Sequence, residues 1–175
     1  MIASMWLSHE DLVWAFGEAN VVRLDRVVLQ GFGLSQEAVG ALAEIGLPRM
    51  IGDRAFQVVE PVTADVPGLG RFCHIGKSVN RFFSINLKSE EAYNLAGWDL
   101  SSGPSFLASS VPALVQCLAH YGMVQNAIPD SRSEAVSVLW AKQLRERLAA
   151  AHPRSVTERN AYFASRIADI ELGII

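Results

Sequence analysis

The side chains best equipped for chemistry are two cysteines and their histidine neighbours: Cys73 beside His74, and Cys117 three residues before His120. An i, i+3 pair on a helix can address one point, so Cys117 and His120 together with Cys73 would offer zinc three ligands. The set is incomplete. Cys73 and His74 are adjacent on a strand-like run and point to opposite faces, no fourth ligand accompanies them, and there is no Cys-x-x-Cys. A cysteine nucleophile needs a thiolate made by a nearby base. Cys73 instead sits among Phe72, Ile75 and Phe83, an apolar setting that keeps a thiol protonated and inert. The carboxylates Asp99, Asp130 and Asp169 fall in a loop, at a helix start and on a polar helix face, where solvation or capping explains them. Gly31-Phe32-Gly33 lacks the third glycine and the preceding parallel strand of a dinucleotide loop, and reads as a turn. Neither Gly-x-Ser-x-Gly nor His-Glu-x-x-His occurs. The expectation is no catalytic residue, no metal and no cofactor.

Composition narrows the classes further. Of 175 residues, 50% are hydrophobic and 19% charged, which describes one globular domain spanning 1–175 and excludes a disordered chain. The net charge of −3 is a poor match to nucleic acid or an anionic membrane surface. No run approaches ~18 apolar residues, so no membrane span is expected. Met1 to Glu10 lacks a basic segment and a long apolar core, so no signal peptide is expected either. Two cysteines can make at most one bridge, and reduced thiols of a cytoplasmic protein are the simpler reading.

The elements follow from caps and periodicity. Ser8-x-x-Asp11 resembles a capping box opening a helix that Gly17 ends. Residues 21–29 read as an extended link carrying Arg23 and Arg26. A helix after Ser35 buries Val39, Leu42 and Ala43 and stops at Gly46-Leu47-Pro48. Residues 56–59 are strand-like, and 61–70 read as a loop with three breakers. Residues 71–75, 81–87 and 91–95 form antiparallel strands, with 76–80 the first turn and 88–90 the second. After a loop over 97–105, Ser109 or Ser110 caps a helix with Leu114, Val115, Leu118 and Tyr121 on one side. Ser131-x-x-Glu134 opens the next, with Val136, Leu139, Trp140, Leu144 and Leu148 inward. Ser155-x-x-Glu158 opens the last, with Phe163, Ile167 and Ile170 on one stripe. Helices, then strands, then helices is the order of an α+β fold: a mostly antiparallel central meander flanked by N-terminal and C-terminal helices, with 131–175 a helical pair packed on the rest.

Strand alternation separates two faces. Cys73, Ile75, Phe83, Ile85 and Leu87 share an apolar face for the helices. Phe72, His74, Phe82, Ser84 and Asn86 share the other, a mixture of aromatic and small polar groups that suits a sheet face meeting a partner. The competing arrangement has a C-terminal helix covering this face too. Trp98 and Asp99 in the neighbouring loop complete the candidate partner surface, and Asp99, Glu90 and Glu91 would bring negative charge to a basic partner.

Several runs in this order resemble the SUKH superfamily, most closely its fourth group of bacterial immunity proteins. They are Ala43-Glu44-Ile45-Gly46-Leu47-Pro48, His74-Ile75-Gly76 followed by Phe83-Ser84-Ile85-Asn86, Phe106-Leu107-Ala108-Ser109-Ser110 leading to His120-Tyr121, and Asp169-Ile170-Glu171-Leu172-Gly173. Ala108 stands where the family often has Asn, and Lys88-Ser89-Glu90-Glu91 stands where it often has a glycine turn. The resemblance implies an α+β domain without catalytic residues. It also implies a cytoplasmic role: binding and neutralising a cognate protein toxin, often a nuclease or a nucleic-acid deaminase. A monomer or weak homodimer, with no direct contact to nucleic acid or membrane, is the expected state. The alternatives are a non-toxin interaction module on the same fold and, less favoured, a small metal-dependent enzyme around Cys73, Cys117 and His120.

Overall fold

The computed structural model describes residues 7–52, 55–96, 103–128 and 133–174. Helix α1 (His9–Phe16) opens on the expected capping box: Asp11 N–H donates to Ser8 Oγ, and Ser8 N–H donates to the Asp11 carboxylate at 2.8 Å. The stretch expected to be an extended link is more structured than that. After a short turn, β1 (Val21–Val22) pairs antiparallel with β2 (Leu47–Pro48), and Arg26 begins a short helix, α2 (Arg26–Gly31). Asp25 is the reason: its carboxylate accepts from Val27 N–H and Val28 N–H and satisfies donors that an extended chain would give to water.

Ser35 caps α3 (Gln36–Gly40), which widens into a π-helical turn, Ala41–Ile45, before stopping at Gly46. Gly46 has φ 95°, and a Cβ there would lie 2.8 Å from the Val22 carbonyl oxygen. Its positive φ and the close passage of β1 both require glycine.

Six antiparallel strands follow in the order β3-β4-β5-β6-β7-β8: Met50–Ile51, Phe56–Val66, Gly70–Lys77, Arg81–Asn86, Ala92–Ala96 and Ser105–Ala108. This is the expected meander, longer at both ends. The loop expected over 61–70 is mostly strand, with the turn confined to 67–69. Pro61 is tolerated because the β4–β5 register shifts between Val58 and Val62, and because β3 pairs only with Phe56 and Gln57, leaving the rest of β4 at the edge. Ser105–Ala108 pairs with β7 as the opposite edge instead of closing a loop. Gly76 belongs to β5 and not to the turn, and the Phe56 ring packs where its Cβ would be.

Helix α4 (Val111–Ala127) takes Ser110 as its cap and lays Leu114, Val115, Leu118 and Tyr121 in one core cluster with Cys73, Phe83 and Ile85. In α5 (Glu134–Ala151) the inward residues are Ser137, Ala141, Leu144 and Leu148; Leu139, expected inside, is 51% exposed. Ser131 and Asp130 lie outside the described residues. The Ser155 cap is a correction: Ser155 is buried within the short α6 (Arg154–Thr157), its Oγ donating to the His152 carbonyl at 2.7 Å. The last helix, α7 (Tyr162–Glu171), takes Ala161 and not Ser155 as its N-cap and buries the expected stripe of Phe163, Ile167 and Ile170. The fold is α+β. No helix among the described residues is long and apolar enough to cross a membrane.

Candidate functional site

Cross-strand register assembles the outer face residue by residue. Val62, His74, Ser84, Tyr93 and Phe106 form one row across β4 to β8, and Ala64, Phe72 and Asn86 form the next. Phe82 lies diagonal to His74 and stacks on it, with ring centroids 4.7 Å apart and planes inclined by 21°. Alternation therefore brings Phe72, His74, Phe82, Ser84 and Asn86 to one side of the sheet. Trp98 and Asp99 lie outside the described residues.

The five do not offer equal surface. Phe72 is 2% exposed and Ser84 is 0% exposed, so neither presents an open contact. The reason for Phe72 is an aromatic chain running along the face. Its ring meets Tyr93 edge-on at 6.2 Å, Tyr93 meets Phe106 at 5.9 Å, and the Arg154 guanidinium sits 4.6 Å above Phe106. The β7–β8 half is thus covered from α6, while the β4–β6 half stays accessible at Val62, His74 and Phe82. The open and the covered arrangement are realised on different halves of one face. A hollow of about 140 Å³ lined by Leu69, Phe72, Asn86, Tyr93 and Pro104 marks their boundary.

Local hydrogen bonds fix the accessible groups. Ser84 Oγ lies 2.7 Å from His74 Nδ1 and donates to the Phe82 carbonyl at 3.3 Å, so it holds the imidazole against the Phe82 ring. Burial lowers the His74 pKa from 6.5 and favours the neutral ring. Asn86 is occupied internally: its Oδ1 accepts from Lys88 and Ser89 N–H and shapes the turn. The turn acids are likewise engaged. Glu90 accepts from Ser35 N–H and Oγ at 2.6 and 2.8 Å, while Glu91 accepts from Tyr93 Oη at 2.7 Å and pairs with Arg154. They tie the sheet to the helices and are not loose charge for a partner. Tyr93 hydroxyl is pushed up to about 12 by burial, reinforced by the Glu91 carboxylate.

Sequence reasoning misses Val62 and Tyr93 on this face. Their signal is present as Val62, Ala64 and Val66 at period two, and as Tyr93 beside Leu95, but Pro61 suggests a loop and the short run around Tyr93 does not assign it a side.

The cysteines and histidines lie apart in role. Cys73 is fully buried on the inner face opposite Ile85, and Cys117 is fully buried on α4. Burial pushes each thiol up to about 12, so neither is a thiolate at neutral pH. Among the described residues no group of three or more His, Cys, Asp or Glu is placed to hold a metal ion. Asp169 pairs with Arg166 on its own helix. The arrangement is a sheet face that carries a half-exposed aromatic stack of His74 on Phe82.

No curated protein and no solved structure matches the chain. The sequence model of the SUKH-4 immunity protein family matches residues 7–163, from the start of α1 into α7. That span contains the whole meander, both of its edge strands and the helix packed beneath it. The chain belongs to the SUKH-4 immunity protein family.

Proposed function

We propose that this protein neutralises a cognate protein toxin by direct binding in the cytoplasm, without catalysis of its own, and that the toxin is a nuclease or nucleic-acid deaminase. Membership of an immunity protein family carries this reading. The acidic excess of the chain, −3 overall, supports a basic partner of the kind that handles nucleic acid. The contact surface is the accessible half of the outer sheet face, with His74 and Phe82 as stacked anchors and Asn86 at the rim; Trp98 and Asp99, which follow β7 in sequence, are assigned to it from the sequence alone. Ser84 holds His74 through its hydroxyl, and Phe72 lies in the neighbouring row, packed on Tyr93. Aromatic groups held on strands suit this role because interface energy concentrates in a few rigid, partly exposed rings.

The test is capture and neutralisation of the toxin encoded beside this gene. Co-expression with the wild-type chain should restore growth, and the two proteins should purify together. A chain carrying Phe82→Ala and Trp98→Ala, shown to be folded by circular dichroism, should bind at least about tenfold more weakly. Wild-type affinity in that variant would remove the contact surface from this face. Failure of the wild-type chain to bind any neighbouring toxin would remove the function.

A further inference from the structure

A second region stands ready for a ligand, on the inner side of the sheet where β6, β7 and β8 meet the start of α7. Two adjoining hollows, of about 540 and 460 Å³, share Arg81, Tyr162 and Arg166 as common walls. Asn94 and Ser105 line the second. Asn94 is completely buried, and neither its Nδ2 nor its Oδ1 has a hydrogen-bond partner. A buried carboxamide with both ends unpaired is costly, and native proteins keep such groups where something else completes them. Arg166 Nε is in the same condition. Arg81 is held in place, its terminal nitrogen donating to the carbonyls of Asn94 and Gly103 at 3.2 and 3.1 Å.

The chemistry of these groups specifies the ligand. A carboxamide with a free donor and a free acceptor pairs with a group offering the reverse, which the N–H and C=O of a single extended residue present side by side. Arg166 already pairs with Asp169 through a terminal nitrogen, but Arg81, Arg159 and Arg166 line the space, an excess of positive charge that suits a further carboxylate. A nucleobase is a poorer match. Tyr162, the aromatic wall, already makes T-shaped contacts with Phe83, Tyr121 and Phe163 and carries Arg166 over its ring, and a stacking base would compete with that guanidinium.

We infer that this cleft receives an acidic residue of a partner protein, its carboxylate between Arg81 and Arg166 and its own peptide group on Asn94. The inference deepens the proposed function and rests on it in taking the partner to be a protein. It places a second anchor point away from the outer face.

The smallest probe carrying both groups is N-acetyl-glutamate N-methylamide. Titrated into the full ¹⁵N-labelled chain, it should produce saturable shifts at the Asn94 side-chain amide and Arg166 Nε–H, with the millimolar Kd expected of so small a ligand. The glutamine analogue should bind at least about fivefold more weakly, and inorganic phosphate should bind more weakly than the glutamate probe. Asn94→Leu should weaken the probe at least about tenfold while its denaturation midpoint stays at or above wild type, because the orphaned polar atoms are gone. Arg166→Gln supplies the same test should Asn94→Leu not fold. Equal binding of the glutamine analogue, tighter binding of phosphate, or no shift at Asn94 by about 50 mM would overturn the inference. The two readings fail separately. A toxin neutralised equally by wild type and by Asn94→Leu overturns the cleft and leaves toxin binding intact. Probe binding in a chain that captures no toxin does the reverse.

Discussion

The outer face around His74 and Phe82 and the cleft around Asn94 and Arg166 are opposite solutions on one sheet. On the outer face His74 Nδ1, Ser84 Oγ and Asn86 Oδ1 have protein partners, and the accessible surface includes the stacked His74 and Phe82 rings. In the cleft the rings are consumed by their neighbours and polar atoms are left over. The first region is prepared for contact driven by burial of surface, the second for contact driven by hydrogen bonds and charge. A binding protein with both can take most of its affinity from one region and its selectivity from the other.

Both regions hang on the same core, so the largest expected effect comes from breaking it. Leu118→Ala on α4 should cost about 2–5 kcal/mol in chemical denaturation, through lost burial and a cavity beside the inner sheet face. It should weaken both regions together. A loss at one region alone would show that they do not share this foundation.

Gly46→Val is next, at about 1–3 kcal/mol, since a β-branched residue meets both a positive φ and the Val22 carbonyl. It lies at the helix end, so toxin affinity of the folded fraction should be unchanged. An unaltered denaturation midpoint would show that neither the φ nor the contact is strict. Phe82→Ala should cost less, about 1 kcal/mol, because its half-exposed ring gives up only part of its burial. A loss equal to that of Leu118→Ala would mean that the β4–β6 half of the face is closed, and the comparison between the two regions would collapse.

The smallest expected effect is a pH dependence. Burial lowers the pKa of His74, His120 and His152 below 6.5, and His152 Nε2 accepts from Ser109 N–H, a bond that only an unprotonated nitrogen can take. The folded state therefore binds fewer protons than the unfolded chain as pH falls. The contribution of these histidines is complete above about 6.5, the unfolded value, and is lost as pH drops below it through the folded values. Urea midpoints should be lower at pH 5.5 than at pH 7.5, and His152→Gln, whose amide oxygen can still accept, should flatten the difference. A midpoint independent of pH over this window would argue that the imidazoles charge freely in the folded protein.

Much of this fold is legible in the chain because period and caps are local. Alternation alone separates Cys73 from His74 and Phe82 from Phe83, and Ser8, Ser35, Gly46 and Ser110 announce their helix ends. The misreadings have equally local causes. Pro61 normally breaks a strand, but an irregular edge can absorb it. Ser-x-x-Glu at 155–158 has the spacing of a capping box, yet Ser155 turns its hydroxyl back to His152. Alternation puts Phe72 and Ser84 on the outer side of the sheet but cannot tell whether a side is covered; Phe72 packs against Tyr93 two strands away, and the Ser84 hydroxyl lies against His74. Asn94 gives no signal at all. An asparagine inside a strand is ordinary in sequence, and its missing partners exist only in three dimensions.

The irregular stretch of β4 has a consequence for life at high concentration. Beyond Val58, whose N–H donates to the Arg49 carbonyl, this strand has no strand neighbour on one side among the described residues, and an uncovered row of backbone donors and acceptors is a template for chain-to-chain pairing and aggregation. Pro61 deletes one donor from the strand, the shifted register kinks it, and the exposed Glu60 and Asp65 would meet like charges on a second copy laid alongside. The residue that disguises this strand in the sequence is also part of what keeps its edge from recruiting another.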